Sequence, residues 1–377
     1  MPKYVIDESR LRRNLEILRS VADRAGVKIL LAQKAFSCAR AYPLCSQYLA
    51  GTTASSLFEA RHGRENFPGE THIFAPAYIP EEIDEILGIA DHIVFNSPKQ
   101  VMRFAAKAFA AKAKARGVST GLRVNPEMSV ATTPAYDPCR PTSRLGTTKS
   151  ELEASPDILG LVDGLHFHCL CEQGLGELKK VLAAFEEKFG KEAANAKWVN
   201  FGGGHHITKA DYDTDGLVEL LKDYRSRHPG QEVYLEPGEA VALDAGFLVS
   251  KVLEIRPAGA DGIANAILDT SAACHMPDVL EMPYTPRVSG AKTGAGGPFA
   301  YRFGAPTCLA GDEIGVYSFE TPLEEGGEVT FEDMAIYTMV KNNTFNGVNL
   351  PDIVYLREDG AEETLRRFGY ADFACRL

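Results

Sequence analysis

The stretch Ile29-Leu30-Leu31-Ala32-Gln33-Lys34-Ala35-Phe36 sets the reading of the whole chain, because it is an apolar run of strand length that ends on an amine. Taken alone, a lysine after such a run is most simply a surface group whose methylene stem covers apolar area while its ammonium stays in water. Held at the mouth of an apolar strand it loses hydration and the ammonium is disfavoured. The neutral amine is then a nucleophile able to form a Schiff base with an aldehyde or ketone. The surrounding sequence decides between the two readings.

Outward from this run, short β-rich segments alternate with helical patterns as far as about residue 240, the signature of parallel strands joined by crossovers. The runs are 28–33, 52–55, 71–75, 92–95, 121–124, 161–167, 198–201 and 232–235. Between them, 80–87, 98–115 and 176–189 repeat apolar residues every three or four positions, as in Val101, Phe104, Ala105 and Ala108, which predicts helices with one buried face. Eight such units predict an α/β chain with a closed (β/α)8 TIM-like barrel, whose chemistry gathers at the C-terminal ends of the strands. The residues just past the runs include Lys34, Ser56, Pro76, Asn96, Asn125, His168, Gly202-Gly203-Gly204 and Glu236. That list is rich in polar, ionisable and glycine residues, although loops are polar in any protein.

Beyond Ala240 the pattern changes to strands at 247–255, 265–269, 313–318, 329–331 and 353–355, separated by Gly/Pro-rich turns such as 289–298. Tyr4-Val5-Ile6 is also strand-like. The expected organisation is therefore a barrel over 8–240 and a mostly β domain built from 1–7 and 241–377.

The 377 residues, 45% of them hydrophobic, suffice for two cores, since a single core rarely grows beyond roughly 250–300 residues. No apolar stretch approaches the roughly 20 residues needed to cross a bilayer. The N-terminus lacks the apolar centre of a signal peptide, so a cytoplasmic protein is expected. Eight scattered cysteines without regular spacing read as reduced thiols. A net charge of −11 argues against a nucleic-acid partner and suits a small cationic substrate, and with no spanning stretch no membrane partner is expected.

Among the motifs, Gly202-Gly203-Gly204-His205-His206 ends an apolar strand with glycines whose amides can approach an anion, as a plain tight turn also would. Gly290-Ala291-Lys292-Thr293 lacks the glycine a nucleotide loop needs and reads as a flexible loop. In Glu236-Pro237-Gly238-Glu239 the Pro-Gly turn aims a carboxylate off a strand end, where it can hold a proton on a heteroaromatic nitrogen or remain a solvated acid. In His166-Phe167-His168-Cys169-Leu170-Cys171 a continuous strand sends the histidines to one face and the cysteines to the other, which opposes a zinc site unless a turn follows His168. No metal is expected. Ser56-Leu57-Phe58-Glu59 fits a helix capping box.

Taken in order, Lys34, His168, the triple glycine, Glu236-Pro237-Gly238, Gly304-Ala305-Pro306-Thr307-Cys308 and Glu332-Asp333-Met334-Ala335-Ile336-Tyr337-Thr338 resemble the pyridoxal-phosphate decarboxylases of the alanine-racemase-like fold, fold type III. Within that group the chain is similar to the carboxynorspermidine/carboxyspermidine decarboxylases. Relatives acting on ornithine or diaminopimelate carry arginine after Glu-Pro-Gly and an acid after the Pro-x-Cys cysteine; here those residues are Glu239 and Leu309.

The resemblance implies pyridoxal 5'-phosphate on Lys34, stacking by His168, and Glu236 holding the ring nitrogen protonated. It implies phosphate contacts from Gly203, Gly204 and Tyr337, with the serine usual on the histidine's loop replaced near Cys171. Cys308 would deliver the proton, reaching the site of the other subunit of a head-to-tail homodimer. Glu239, His275, Asp278 and Leu309 would meet the carboxylated polyamine, and Arg144 and Asp312 occupy places of an intersubunit ion pair. The alternatives are a diaminopimelate or ornithine decarboxylase, an amino-acid racemase, a cofactor-free regulatory homologue that binds partner proteins, and a zinc-dependent hydrolase built on residues 166–171. Glu236 argues against the racemase, which usually places an uncharged or cationic group near the ring nitrogen, and retention of Lys34 and Cys308 argues against the regulatory homologue.

Overall fold

The computed structural model describes residues 1–112 and 117–377, which divide into two compact units. Met1–Arg12, Ala35–Arg40 and Ala242–Leu377 form one; Arg13–Lys34 and Ala41–Val241 form the other.

Strand β1 (Lys3–Asp7) belongs to the first unit. The second unit is a closed barrel of eight parallel strands: β2 (Lys28–Ala32), β3 (Gly51–Ala54), β4 (Glu70–Phe74), β5 (His92–Phe95), β6 (Ser119–Arg123), β7 (Gly164–His166), β8 (Trp198–Asn200) and β9 (Glu232–Leu235). It closes where Lys28 and Ile29 pair with Tyr234 and Leu235. The expected barrel is therefore present, and the alternation of apolar strands with one-faced helices is its cause. The run expected at 161–167 is a strand only over Gly164–His166, because Pro156 opens a 3-10 turn that extends to Leu161. The helix expected at 98–115 is observed as Pro98–Lys112, and residues 113–115 lie outside the described residues. At helix Leu57–Asn66 the Ser56 hydroxyl accepts from the Glu59 amide at 3.3 Å, as a cap does.

Trp198 organises the barrel interior, where it clusters with Leu30, Val94 and Tyr234. A Cβ on Gly121 would stand 2.4 Å from its indole and one on Gly164 2.1 Å, so the two neighbouring strands need glycine where the large ring lies.

The first unit is a sheet ordered β12-β14-β13-β11-β10-β1-β16-β17, with β15 on β10. These strands are β10 (Gly246–Arg256), β11 (Ala264–Leu268), β12 (Lys292–Thr293), β13 (Phe299–Gly304), β14 (Glu313–Phe319), β15 (Glu328–Glu332), β16 (Asp352–Leu356) and β17 (Glu362–Arg366). Lys292-Thr293, read above as loop, pairs with β14. The core gathers Tyr4, Leu248, Phe303, Tyr317 and Phe331. Among the described residues no helix is long and apolar enough to cross a membrane.

Candidate active site

At the C-terminal mouth of the barrel, parallel register brings together side chains far apart in sequence. His166 ends β7 and pairs with Asn200, which ends β8 and pairs with Tyr234 of β9; Glu236 follows β9. Glu236 is 7% exposed and collects three approaches: His166 Nε2 at 2.8 Å and His168 Nδ1 at 3.3 Å to Oε1, and the Asn200 amide donating to Oε2 at 3.1 Å. Burial works against its charge, yet His166 beside it holds its carboxyl well below the ordinary glutamate range. Glu236 is thus ionised inside the protein.

Burial lowers both histidines; His168 is pushed down to about 3, with the positive charge of Lys34 adding to that shift. The Gly203 amide donates to His168 Nδ1 at 3.1 Å. An amide can only donate, so Nδ1 accepts and the ring proton sits on Nε2. The 3.3 Å approach of Glu236 to that nitrogen then brings two acceptors together, which leaves the carboxylate short of a donor.

Lys34 lies just past β2. Its neighbour Gln33 is fully buried and fixed on both sides: its side-chain amide donates to Glu59 O at 2.9 Å and its oxygen accepts from Tyr42 Oη at 2.9 Å. Lys34 itself is exposed in the mouth, but protein surrounds it elsewhere. That loss of hydration lowers its ammonium from the ordinary value; Glu236 and Glu239 oppose the shift and Arg123 adds to it. Among the described residues no carboxylate lies within ion-pair distance of Lys34.

The triple glycine is explained first by close packing. A Cβ on Gly203 would meet Glu236 O at 2.2 Å, and one on Gly204, at φ +81, would meet Leu170 O at 2.0 Å. The Gly203 amide is spent on His168. Among the described residues no acceptor takes the Gly204 N–H, which leaves it available to an anion. Glu239 is buried, with His206 Nε2 at 3.3 Å from its carboxylate.

The remaining residues named from sequence lie in the first unit. Tyr337 has φ 53, strain that is uncommon for a bulky side chain and clusters at ligand sites, and its amide donates to Ala35 O at 2.9 Å. Cys308 and Leu309 are exposed. His275 is fully buried, its ring nitrogens meeting Thr270 Oγ1 at 2.9 Å and Asn349 O at 3.0 Å. Asp278 pairs with Lys341. Asp312 is turned inward, accepting from Ser271 and Thr307 hydroxyls at 2.6 Å each, whereas Arg144 is exposed.

Among the described residues the possible metal group at this mouth is His166, His168 and Glu236, with ligand atoms within 4.8 Å of one another; Cys169 and Cys171 do not join it. Sequence reasoning passed over Asn200, Arg123 and His206. Each is a polar residue at or just past a strand end, the signal that could have found them. Arg123 is 5% exposed and donates to His168 O at 2.8 Å, fixing the backbone of the stacking candidate.

No family model matches the chain. It is 42% identical over 390 residues to the carboxynorspermidine/carboxyspermidine decarboxylase of Campylobacter jejuni, covering 100% of this chain and 98% of that protein. It is 40% identical to the carboxyaminopropylagmatine decarboxylase of Synechocystis, covering 100% and 95%. Among solved structures, Campylobacter jejuni carboxynorspermidine decarboxylase complexed with norspermidine superposes with a TM-score of 0.91 at 40% identity, over 100% of both chains. A diaminopimelate decarboxylase superposes at 0.82 with 17% identity, over 100% of this chain and 93% of that one, a likeness of fold alone.

Proposed function

The chain belongs to the family of carboxynorspermidine/carboxyspermidine decarboxylases, and from that premise we propose how its residues carry the reaction, with pyridoxal 5'-phosphate bound at the barrel mouth. The chain is a decarboxylase of polyamine biosynthesis. The observation that carries the assignment of roles is the Glu236 carboxylate, kept ionised at the mouth by His166, with the Asn200 amide on its other oxygen, and still short of a donor.

The residues present fit the cofactor: a lysine with a lowered pKa, an acid that needs a proton opposite it, and a Gly204 amide open to a phosphate. When bound, pyridoxal phosphate supplies an aldehyde and a ring that accepts electrons from the bond losing carbon dioxide. Lys34 would hold the cofactor through its aldehyde, its amine made available by lost hydration. Glu236 would keep the ring nitrogen protonated, because an ionised carboxylate favours a cationic partner where water is scarce. His168 offers a flat face, its ring fixed from Nδ1 by Gly203 and its backbone fixed by Arg123. Gly204 would donate to the phosphate and Gly203 would act through His168; for Tyr337 the phosphate role is what the resemblance implies.

Cys308 would supply the proton that replaces the lost carboxylate. An exposed thiol cannot deliver a proton selectively to one carbon in competition with water. Exposure of Cys308 and Leu309 therefore supports a homodimer in which this loop completes the site of a second copy. Leu309 provides an apolar wall for the methylenes of the polyamine. Asp278 and His275, named from the resemblance as substrate contacts, are engaged with Lys341 and with Thr270 and Asn349. The reading keeps the expectation of a cytoplasmic enzyme acting on a small cationic substrate.

The test is carbon dioxide release from carboxynorspermidine, carboxyspermidine, carboxyaminopropylagmatine, diaminopimelate and ornithine. The carboxylated norspermidine or spermidine should turn over fastest. Faster release from ornithine or diaminopimelate would overturn the substrate assignment. The first two substrates differ by one methylene, worth roughly 1–3 kcal/mol of discrimination.

A further inference from the structure

Glu239 poses a charge problem that the roles above leave open. It follows Glu-Pro-Gly directly, is 9% exposed, and acts electrostatically on Lys34, so its carboxylate stands in the same mouth as Glu236. A phosphate monoester carries close to two negative charges at neutral pH. Two buried carboxylates and a phosphate cannot share a poorly hydrated site without cations. Lys34 is shifted towards the neutral amine. Arg123 offsets part of that charge through its interaction with Glu236, but its direct contacts go to His168 O at 2.8 Å and to the Phe74 ring, 4.5 Å from its centroid.

Among the described residues, His206 is the polar side chain that touches the Glu239 carboxylate, at 3.3 Å through Nε2. Its position is fixed by the backbone. Gln173 N donates to Gly204 O at 3.0 Å and His206 N donates to Gln173 O at 3.2 Å, which clamps the turn that carries the open Gly204 amide. Two residues beyond His206, the Thr208 hydroxyl donates to Ala240 O at 2.6 Å and ties this segment to the one that bears Glu239. The Gly204 amide and His206 thus lie on one turn, which is tied to the segment that bears Glu239.

Resting on the pyridoxal-phosphate reading, we propose that His206, held by Glu239, is the cationic contact for the cofactor's phosphate. Glu239 then acts on the cofactor side as the counter-ion that keeps the imidazole charged, and not on the amines of the substrate. A charged donor matched to a phosphate oxygen is the strong class of hydrogen bond.

The test compares two ligands that differ only in the phosphate. Full-length protein freed of cofactor is titrated with pyridoxal 5'-phosphate and with pyridoxal, following absorbance. His206→Gln should weaken pyridoxal phosphate roughly 10- to 100-fold and pyridoxal by less than about threefold. His206→Arg, which keeps the charge, should restore pyridoxal phosphate to within about threefold of the unaltered protein. Equal losses for both ligands, or no loss for the phosphorylated one, would overturn the proposal, and melting curves of each variant identify a folding defect as the source of an equal loss. Unaltered protein that takes up neither ligand would instead sink the cofactor reading itself.

Discussion

The two ends of the barrel hold the same kinds of residue and do opposite things with them. At the N-terminal end Lys28 meets Glu70 at 2.7 Å and Glu232 at 2.8 Å, Glu70 also meets His72 at 2.9 Å, and the His92 ring stacks on His72 at 4.0 Å. At the C-terminal end Lys34, Glu236, His166 and His168 repeat that set. Burial alone would lower Lys28, but the hydrogen bonds it donates to Glu232 and Glu70 outweigh it and raise its pKa, while the same loss of hydration at Lys34 prevails and lowers it. A lysine paired with carboxylates is a strut; one deprived of water without a direct counter-ion is a nucleophile.

The largest expected effect comes from removing the reactive member. Lys34→Ala should cut carbon dioxide release by roughly 10³-fold or more and abolish the long-wavelength absorbance of the cofactor, whereas Lys28→Ala should leave both nearly unchanged. Equal damage from the two would erase the contrast. Next in size, Glu236→Gln should lower kcat by roughly 10²- to 10³-fold, because an amide cannot hold a proton on the ring nitrogen. Glu70→Gln should leave kcat intact. Cys308→Ala should cost about 10²-fold, and mixing it with the Lys34→Ala protein should recover part of the activity if each site draws on two copies. No recovery after subunit exchange would count against the shared site.

The smallest effect concerns stability at the N-terminal end. The Glu70 carboxyl is held down at about 2 against an ordinary 4.5, its paired Lys28 and His72 overcoming burial. Its contribution is present above about pH 4.5 and is lost as pH falls towards 2. Lys28→Met should therefore flatten the fall of the urea midpoint over that window, and lower stability near neutrality by about 1 kcal/mol, the partly exposed pair being screened by water.

Much of this was legible along the chain. Strand and helix periods are local properties, so seven barrel strands emerged within a few residues of their bounds, and the Pro156 turn shortened the eighth. β13 was overlooked because glycines and prolines crowd the segment before Phe299. The placement of Lys34, His168 and Glu236 just past strand ends was legible because apolar runs mark where each strand stops.

What sequence alone determined is the order of apolar runs and the ionisable residue that follows each one, since both depend only on near neighbours. Only the tertiary structure decided which of those residues interact. Register between parallel strands set Asn200 between His166 and Glu236, and the glycine turn gave one amide to His168 and left the next open. The contrast between Lys28 and Lys34, six positions apart on either side of one strand, also belongs to the fold, because hydration and counter-ions are supplied by residues that meet only when the barrel closes.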